Sequence, residues 1–533
     1  MKRTNILWIT ALLLGCFFDF LFWKQSPGLN FSIYVVLCLA GGFLVLELNG
    51  IKPAWKSLLL LIPILFFAAI TFIRQEPLSL FLSFVLTLGL MGLLAASFAG
   101  GAWPAYGLLD YAINGARLIG SLLARPLIFL SESRKSALAA SAEPAGKVSR
   151  AGQNLGQKLG WKRFWAVLRG VLIALPILAV FAALLASADL VFAQRLQDFT
   201  RIFRLENLPQ YIFRAVYILI GAYALAGVFL HAARKSRLEH LQGQKPLVPQ
   251  FLGFTEAAVV LGAVVALFAI FVVIQFRYFF GAGANIGLQG YTYSEYARRG
   301  FGELVAVAFC SLLLFLGLST IVRRQTAGQR WAFSGLGIGM LALVGVILVS
   351  AFQRLRLYEA AYGFSRLRVY TYIFMIWLGL LLAVVVVLDL LRRQRLFPLA
   401  ALLVMISFAA TLALVNVDAS IVRQNVARAS QGQGLDVPYL ASLSPDSVPA
   451  LAAAYEFKVL PGLTRDAVGA VLVCRLHAVS QSSGGNWRSF TLSGWWADQA
   501  VARLQTRLEL YQVTRDQGGL KVLTPGSVYY ECP

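Results

Sequence analysis

The chain has 533 residues, 59% of them hydrophobic and only 13% charged, with a net charge of +23 and a mean hydropathy of +0.72. Soluble globular proteins are roughly a quarter charged, so a large soluble core is excluded and a membrane protein is indicated. Nucleic acid does not explain the positive balance. From Asn416 onward there are ten basic and nine acidic residues, and the remaining excess lies in the apolar part, largely in short connections between apolar runs. That is the positive-inside distribution.

A spanning helix needs roughly 20 apolar residues. Eleven runs qualify: residues 6–23, 31–48, 57–73, 78–98, 164–188, 211–232, 257–280, 303–322, 331–352, 370–391 and 397–415. The first begins near Met1 with no small-residue cleavage site, so it reads as a retained helix. Basic residues precede the first run (Lys2, Arg3) and follow the second (Lys52, Lys56), fourth (Arg117 to Arg163), sixth (Arg234, Lys235, Arg237), eighth (Arg323, Arg324) and tenth (Arg392, Arg393, Arg395). All these positions fall on one side, assigned to the cytoplasmic face of a bacterial inner membrane, with the C-terminal tail extracytoplasmic.

Four regions follow: spans with an interfacial helix over 1–130, a basic cytoplasmic linker over 131–163, a core of spans over 164–415, and an extracytoplasmic domain over 416–533. Residues 103–130 set Asp110, Asn114 and Arg117 among apolar side chains and read as an amphipathic helix on the inner interface. Residues 131–158, rich in Ala, Ser, Gly and Lys, read as a flexible linker facing anionic lipid. Residues 189–207 read as an amphipathic helix on the outer surface. The expected fold is an all-α polytopic transmembrane bundle of about eleven spans with a small, mostly helical α+β domain outside the membrane.

Two outer stretches depart from the charge bias. Residues 353–372, QRLRLYEAAYGFSRLRVYTY, hold four arginines, one glutamate and four tyrosines, and residues 290–303, GYTYSEYARRGFGE, share that character. In the second, Thr292 and Glu295 have the spacing of a capping box. In the first, the helix of the ninth span is expected to overshoot the bilayer and end at Gly363, with Ser365 capping the next helix. The candidate surface comprises Tyr293, Glu295, Tyr296, Arg298, Arg299, Tyr358, Glu359, Tyr362, Arg366, Arg368 and Tyr370. Its arginines have the fork geometry that holds a phosphate or anionic lipid headgroup. The same residues also suit a structural role, with Glu295 and Glu359 stapling neighbouring corners.

These stretches, together with NVDASIVRQN, LDVPYLASLSPDSVPAL and NWRSFTLS, resemble the signature of an uncharacterised bacterial membrane family, domain of unknown function 4173. One departure is Asn416–Asp418, where the pattern has a proline between Asn and Asp. The resemblance implies a polytopic membrane protein and supplies no reaction.

In the tail, Asp418 is expected to cap a helix through Ala429, Ser444-Pro445-Asp446 to start another, and further helices to cover 464–480 and 487–507, with Trp495 and Trp496 packing the last. Residues 509–514 and 520–523 read as a hairpin. Cys474 and Cys532 either pair in an oxidising compartment or stay as buried thiols. Asp19 and Glu47 sit near span ends, and Asp389, beside Arg392 and Arg393, is expected to be paired. Metal-site, P-loop, HExxH and triad patterns are absent, so neither metal nor cofactor is indicated. Three functional readings stay open: a scaffold or sensory component contacting lipid or another envelope protein, a transporter or lipid translocator, and a transferase acting on a lipid-linked donor.

Overall fold

The computed structural model describes residues 4–139, 170, 174, 178, 181, 185, 186, 189, 208–234, 236, 250–280, 301–457, 460–480, 486–516 and 519–532. Among them, ten helical segments are long and apolar enough to cross a membrane. They belong to α1 (Thr4–Phe22), α2 (Leu29–Leu48), the joined pair α3 (Trp55–Leu58) and α4 (Leu61–Ile73), α5 (Pro77–Ser97), α7 (Leu208–Arg234), α8 (Phe254–Phe280), α9 (Phe301–Ile321), α10 (Ala327–Tyr362), α11 (Arg366–Leu390) and α12 (Phe397–Val415). Most of the run expected at 164–188, nearly all of the outer helix at 189–207 and the capping box at Thr292 lie outside the described residues. The polytopic bundle with a small C-terminal domain is the observed fold class.

Among the described residues the apolar runs become helices whose buried faces make three cores. One, around Leu7, Ala11, Ala226 and Leu230, joins the first two spans to α7. A second, around Leu60, Ile64, Phe67 and Leu90, joins α2, α4 and α5 with Ala409 of α12. The third, around Phe315, Phe333, Met340 and Val344, joins α8 to α11. Gly337 lets α9 and α10 meet closely, since a side chain there would run into the Phe315 ring. The amphipathic helix expected at 103–130 is α6 (Leu108–Ala139), which continues through Pro126 into the stretch read as linker. It crosses α7, where the Leu122 backbone meets Gly227 and His231 Nδ1 lies 2.8 Å from Ser121 Oγ.

The bundle has two distinct ends. At one, the Trp103 indole donates to the Lys56 carbonyl at 2.9 Å, and Arg392 sits over the Trp331 ring. The other end carries the tail. Asp19, in the last turn of α1, accepts two hydrogen bonds from Arg214 Nε, at 2.9 and 3.2 Å, and one from the Tyr217 phenol. The start of α7 is therefore at the tail end, whereas α6 starts at the opposite end. The chain changes ends between them.

The tail consists of α13 (Val417–Ala429), α14 (Val437–Ala441), α15 (Val448–Glu456), α16 (Gly462–Ser480), α17 (Leu492–Leu508) and an antiparallel sheet β1 (Gln512–Asp516), β2 (Gly519–Leu523) and β3 (Tyr529–Glu531). Val468, Val471, Leu451 and Val522 form its centre, and the same core takes in Ile373 of α11 and Leu412 of α12. Cys474 and Cys532 form a disulfide with Cα atoms 5.4 Å apart, which ties α16 to the residue after β3. Asn416, in the left-handed conformation, caps α13 by accepting from the Ala419 amide. Asp418, expected as that cap, points elsewhere. Ser444 donates its hydroxyl to Asp446 and does not cap.

Candidate functional site

The tail meets three connections of the bundle, and polar residues make each contact. The connection between α4 and α5 reads Arg74-Gln75-Glu76-Pro77. Pro77 suits a helix start because it has no amide proton to leave unsatisfied. Glu76, only 2% exposed, accepts from the Leu78 and Ser79 amides at 2.9 and 2.7 Å, and its carboxylate also takes the Tyr370 phenol. Arg74 donates to the Ala413 carbonyl of α12 at 3.0 Å and pairs with Asp446 at 3.5 Å. The Gln75 amide donates to the other oxygen of Asp446 at 2.7 Å. One tail carboxylate thus fastens the whole connection.

The second contact is the corner between α10 and α11. At about 1.5 Å per residue, α10's 36 residues reach well past a hydrocarbon layer of about 30 Å, as the sequence indicates. Gly363 turns the chain at φ +76°. A side chain there would strike Asn425 and Arg428 of α13. Asn425 grips Phe364 on both backbone groups, accepting from its amide at 2.8 Å and donating to its carbonyl at 2.9 Å.

Arg366 makes a two-pronged bond to Asp418, at 2.8 and 2.6 Å. The Asp418 side chain is fully buried and also accepts from the Ser444 amide at 2.7 Å. The role expected of Ser365 falls to Tyr439, whose phenol oxygen accepts from the Arg366 amide at 2.8 Å, while Ser365 makes no side-chain cap. Burial pushes the Tyr439 phenol above its ordinary pKa. Arg475 of α16 stands close enough to feel Asp418. Burial lowers its pKa, the Asp418 charge opposes that, and its Nε and NH2 have no hydrogen-bond partner.

The third contact joins the tail to the α1–α2 connection. Arg488 donates to the Phe20 carbonyl at 2.6 Å, and the Leu29 amide donates to the Phe490 carbonyl at 3.0 Å. This is the NWRSFTLS segment.

The structure brings Tyr358, Glu359, Tyr362, Arg366, Arg368 and Tyr370 to one corner. Tyr293, Glu295, Tyr296, Arg298 and Arg299 lie outside the described residues. Arg368 donates to the Gly363 carbonyl and lies 4.2 Å from the centre of the Tyr358 ring, which packs at a tilt against Tyr362 with ring centres 5.1 Å apart. Glu359 is half-buried and has no cationic nitrogen within 4.0 Å among the described residues. Two tail aspartates, not the corner glutamate, hold the arginines that the tail engages.

Beside this seam a groove of about 1230 Å³ opens between α13, α15 and α17. Its floor reaches Leu414 and Val415, at the end of α12, and includes Arg74 and Asp446. Trp495 and Trp496, expected to pack α17, instead stand 47% and 41% exposed along the groove, with Arg423 and Arg503. Ser493 is buried in its wall with a hydroxyl that lacks a hydrogen-bond partner. The set combines apolar floor, aromatic rim and cationic side chains, which suits a ligand with an apolar part and an anionic one.

Ten apolar helices among the described residues, capped by a polar-seamed tail, make this a multi-pass membrane protein. The family model "Domain of unknown function (DUF4153)" matches residues 61–454, well over half of the chain, and the chain belongs to that family. The number differs from 4173, the family that the outer motifs resemble, and the match supports 4153. It covers the corner, Asp418 and Asp446, and ends before α17. No curated protein and no solved structure matches the chain.

Proposed function

We propose that the protein is a lipid-responsive sensory component of the bacterial inner membrane, with its N-terminus in the cytoplasm and its tail on the extracytoplasmic side. The observation that carries this reading is the sharing of residues between groove and seam. Arg74 and Asp446 line the groove and also fasten the tail to the α4–α5 connection. A ligand that engages either one changes the contact between tail and spans. The outward orientation draws support from the arginines at the opposite end and from a disulfide, which an oxidising compartment maintains. An amphiphile from the outer leaflet is the fitting ligand, because Leu414 and Val415 carry the groove to the end of a span and tryptophan favours the membrane interface.

The test is fluorescence quenching in nanodiscs made with brominated phosphatidylglycerol. The quenched emission of the wild type is expected to fall clearly in Trp495→Phe/Trp496→Phe, with the remaining nine tryptophans unchanged. Equal quenching in both proteins defeats the reading. Arg503→Gln is expected to reduce the quenching while leaving the melting temperature in place.

A further inference from the structure

The opposite end of the bundle holds a second concave site, of about 630 Å³, between the α9–α10 and α11–α12 connections. Five arginines line it: Arg324, Arg330, Arg392, Arg393 and Arg395. None of them lies within 4.0 Å of a carboxylate among the described residues. Asp389 shares the pocket but is 5% exposed. One of its oxygens takes Gln394 and the other has no hydrogen-bond partner, so the pairing expected from sequence does not occur.

Positive-inside topology requires only that basic residues stay in the connections. It does not require two connections far apart in sequence to aim their arginines into one hollow. The geometry that does so is specific. Arg392 adopts φ +56°, a left-handed conformation unfavourable for a residue with a side chain. That turn follows α11 directly and sends Arg392, Arg393 and Arg395 along the pocket. Arg324 is fixed by donation to the Ser319 carbonyl at 2.6 Å and by stacking 4.4 Å from the Phe333 ring centre. Burial lowers its pKa, and the charge of Asp389 opposes that shift.

We infer that this pocket binds a phosphate-bearing anion, held by the arginine forks at the membrane surface opposite the tail. Arginine presents planar donor pairs that match phosphate oxygens. Exposed Trp331, Leu390 and Leu396 border the same hollow and offer an apolar path for acyl chains, which favours the headgroup of an anionic phospholipid over a free phosphate. Basic pockets between spans are a recognised mode of binding such headgroups.

The experiment is native mass spectrometry of the full chain released from nanodiscs of phosphatidylcholine containing phosphatidylglycerol and diphosphatidylglycerol. Wild type is compared with Arg330→Gln/Arg393→Gln/Arg395→Gln. Those three side chains hold no other part of the fold among the described residues, so the variant is expected to melt as wild type does. Wild type is expected to retain anionic lipid, and the variant to lose about fivefold in retention for each arginine removed. Arg395→Gln alone gives a fivefold reading should the triple variant fail to fold. Added pyrophosphate that displaces the lipid identifies a soluble phosphate as a competent occupant, and lipid retained against it identifies the headgroup. Retention equal in variant and wild type, or lost equally in the tail variant Arg507→Gln, outside the groove lining, overturns the assignment.

Discussion

Asp418 serves three partners at once: both prongs of Arg366, the Ser444 amide and, through its field, Arg475. A fully buried carboxylate is costly unless its oxygens are satisfied, and these are. Asp418→Asn keeps the shape but removes the counter-charge from two guanidiniums. It is expected to destabilise the tail by about 3 kcal/mol, read as a lower denaturation midpoint for the tail with the helical signal of the spans retained. Gly363 is constrained twice, by its positive φ and by the approach of Asn425 and Arg428. Gly363→Ala is expected to cost about 1 kcal/mol or more from the backbone alone, measured as a drop in melting temperature. An unchanged melt in either variant places the tail's attachment elsewhere.

At the scale of elements, one face of α13 explains much of the corner. Asp418 and Asn425 are seven residues apart, two helical turns, and so lie on one stripe; Arg428 extends that face, donating to the Ala360 carbonyl at 2.8 Å. The spans were legible in the sequence because length and hydropathy are local properties, and the overshooting α10 was legible because nothing in it breaks a helix before Gly363. The seam was not, because its partners are remote in the chain: Gln75 and Asp446 are 371 residues apart. Asp418 has the position and chemistry of a cap, and only the tertiary partner Arg366 redirects it. A usable signal did exist. The segments around Arg366, Asp418, Tyr439 and Arg488 were all picked out as one ordered resemblance, and all four take part in the contacts that hold the tail. The exposure of Trp495 and Trp496 had no such signal, since an aromatic pair on a helix has the same local pattern whether it packs or lines a groove. The disulfide belongs to this scale also. It closes a loop with a sequence separation of 58, so Cys474→Ser/Cys532→Ser is expected to lower tail stability by about 4 kcal/mol on the loop-entropy account. Melting with and without reductant checks this, since only the wild type responds.

For the whole molecule, the tail acts as a clamp on connections that come from far apart in the chain. It touches the α1–α2 connection through Arg488, the α4–α5 connection through Asp446 and the α10–α11 corner through Asp418. Its hydrophobic core is continuous with α11 and α12. A chain truncated before Asn416 is expected to keep its spans inserted while Arg74 and Arg366 lose their acidic partners. Limited proteolysis is then expected to cut at residues 74–77 and 363–366 in the truncated protein and to spare them in the full one. Protection at both places without the tail contradicts the clamp.

The clamp also orders events in time. During synthesis the first two gripped connections emerge long before Asp418, Asp446 or Arg488 exists, and until then their polar groups must be served by water or by a chaperone. Completion of the tail therefore marks a fully inserted chain. A molecule with a misplaced span presents at least one connection at the wrong end of the bundle and cannot close all three contacts. The seam that holds the protein together thus also requires all three gripped connections to lie on the side of the bilayer where the tail folds.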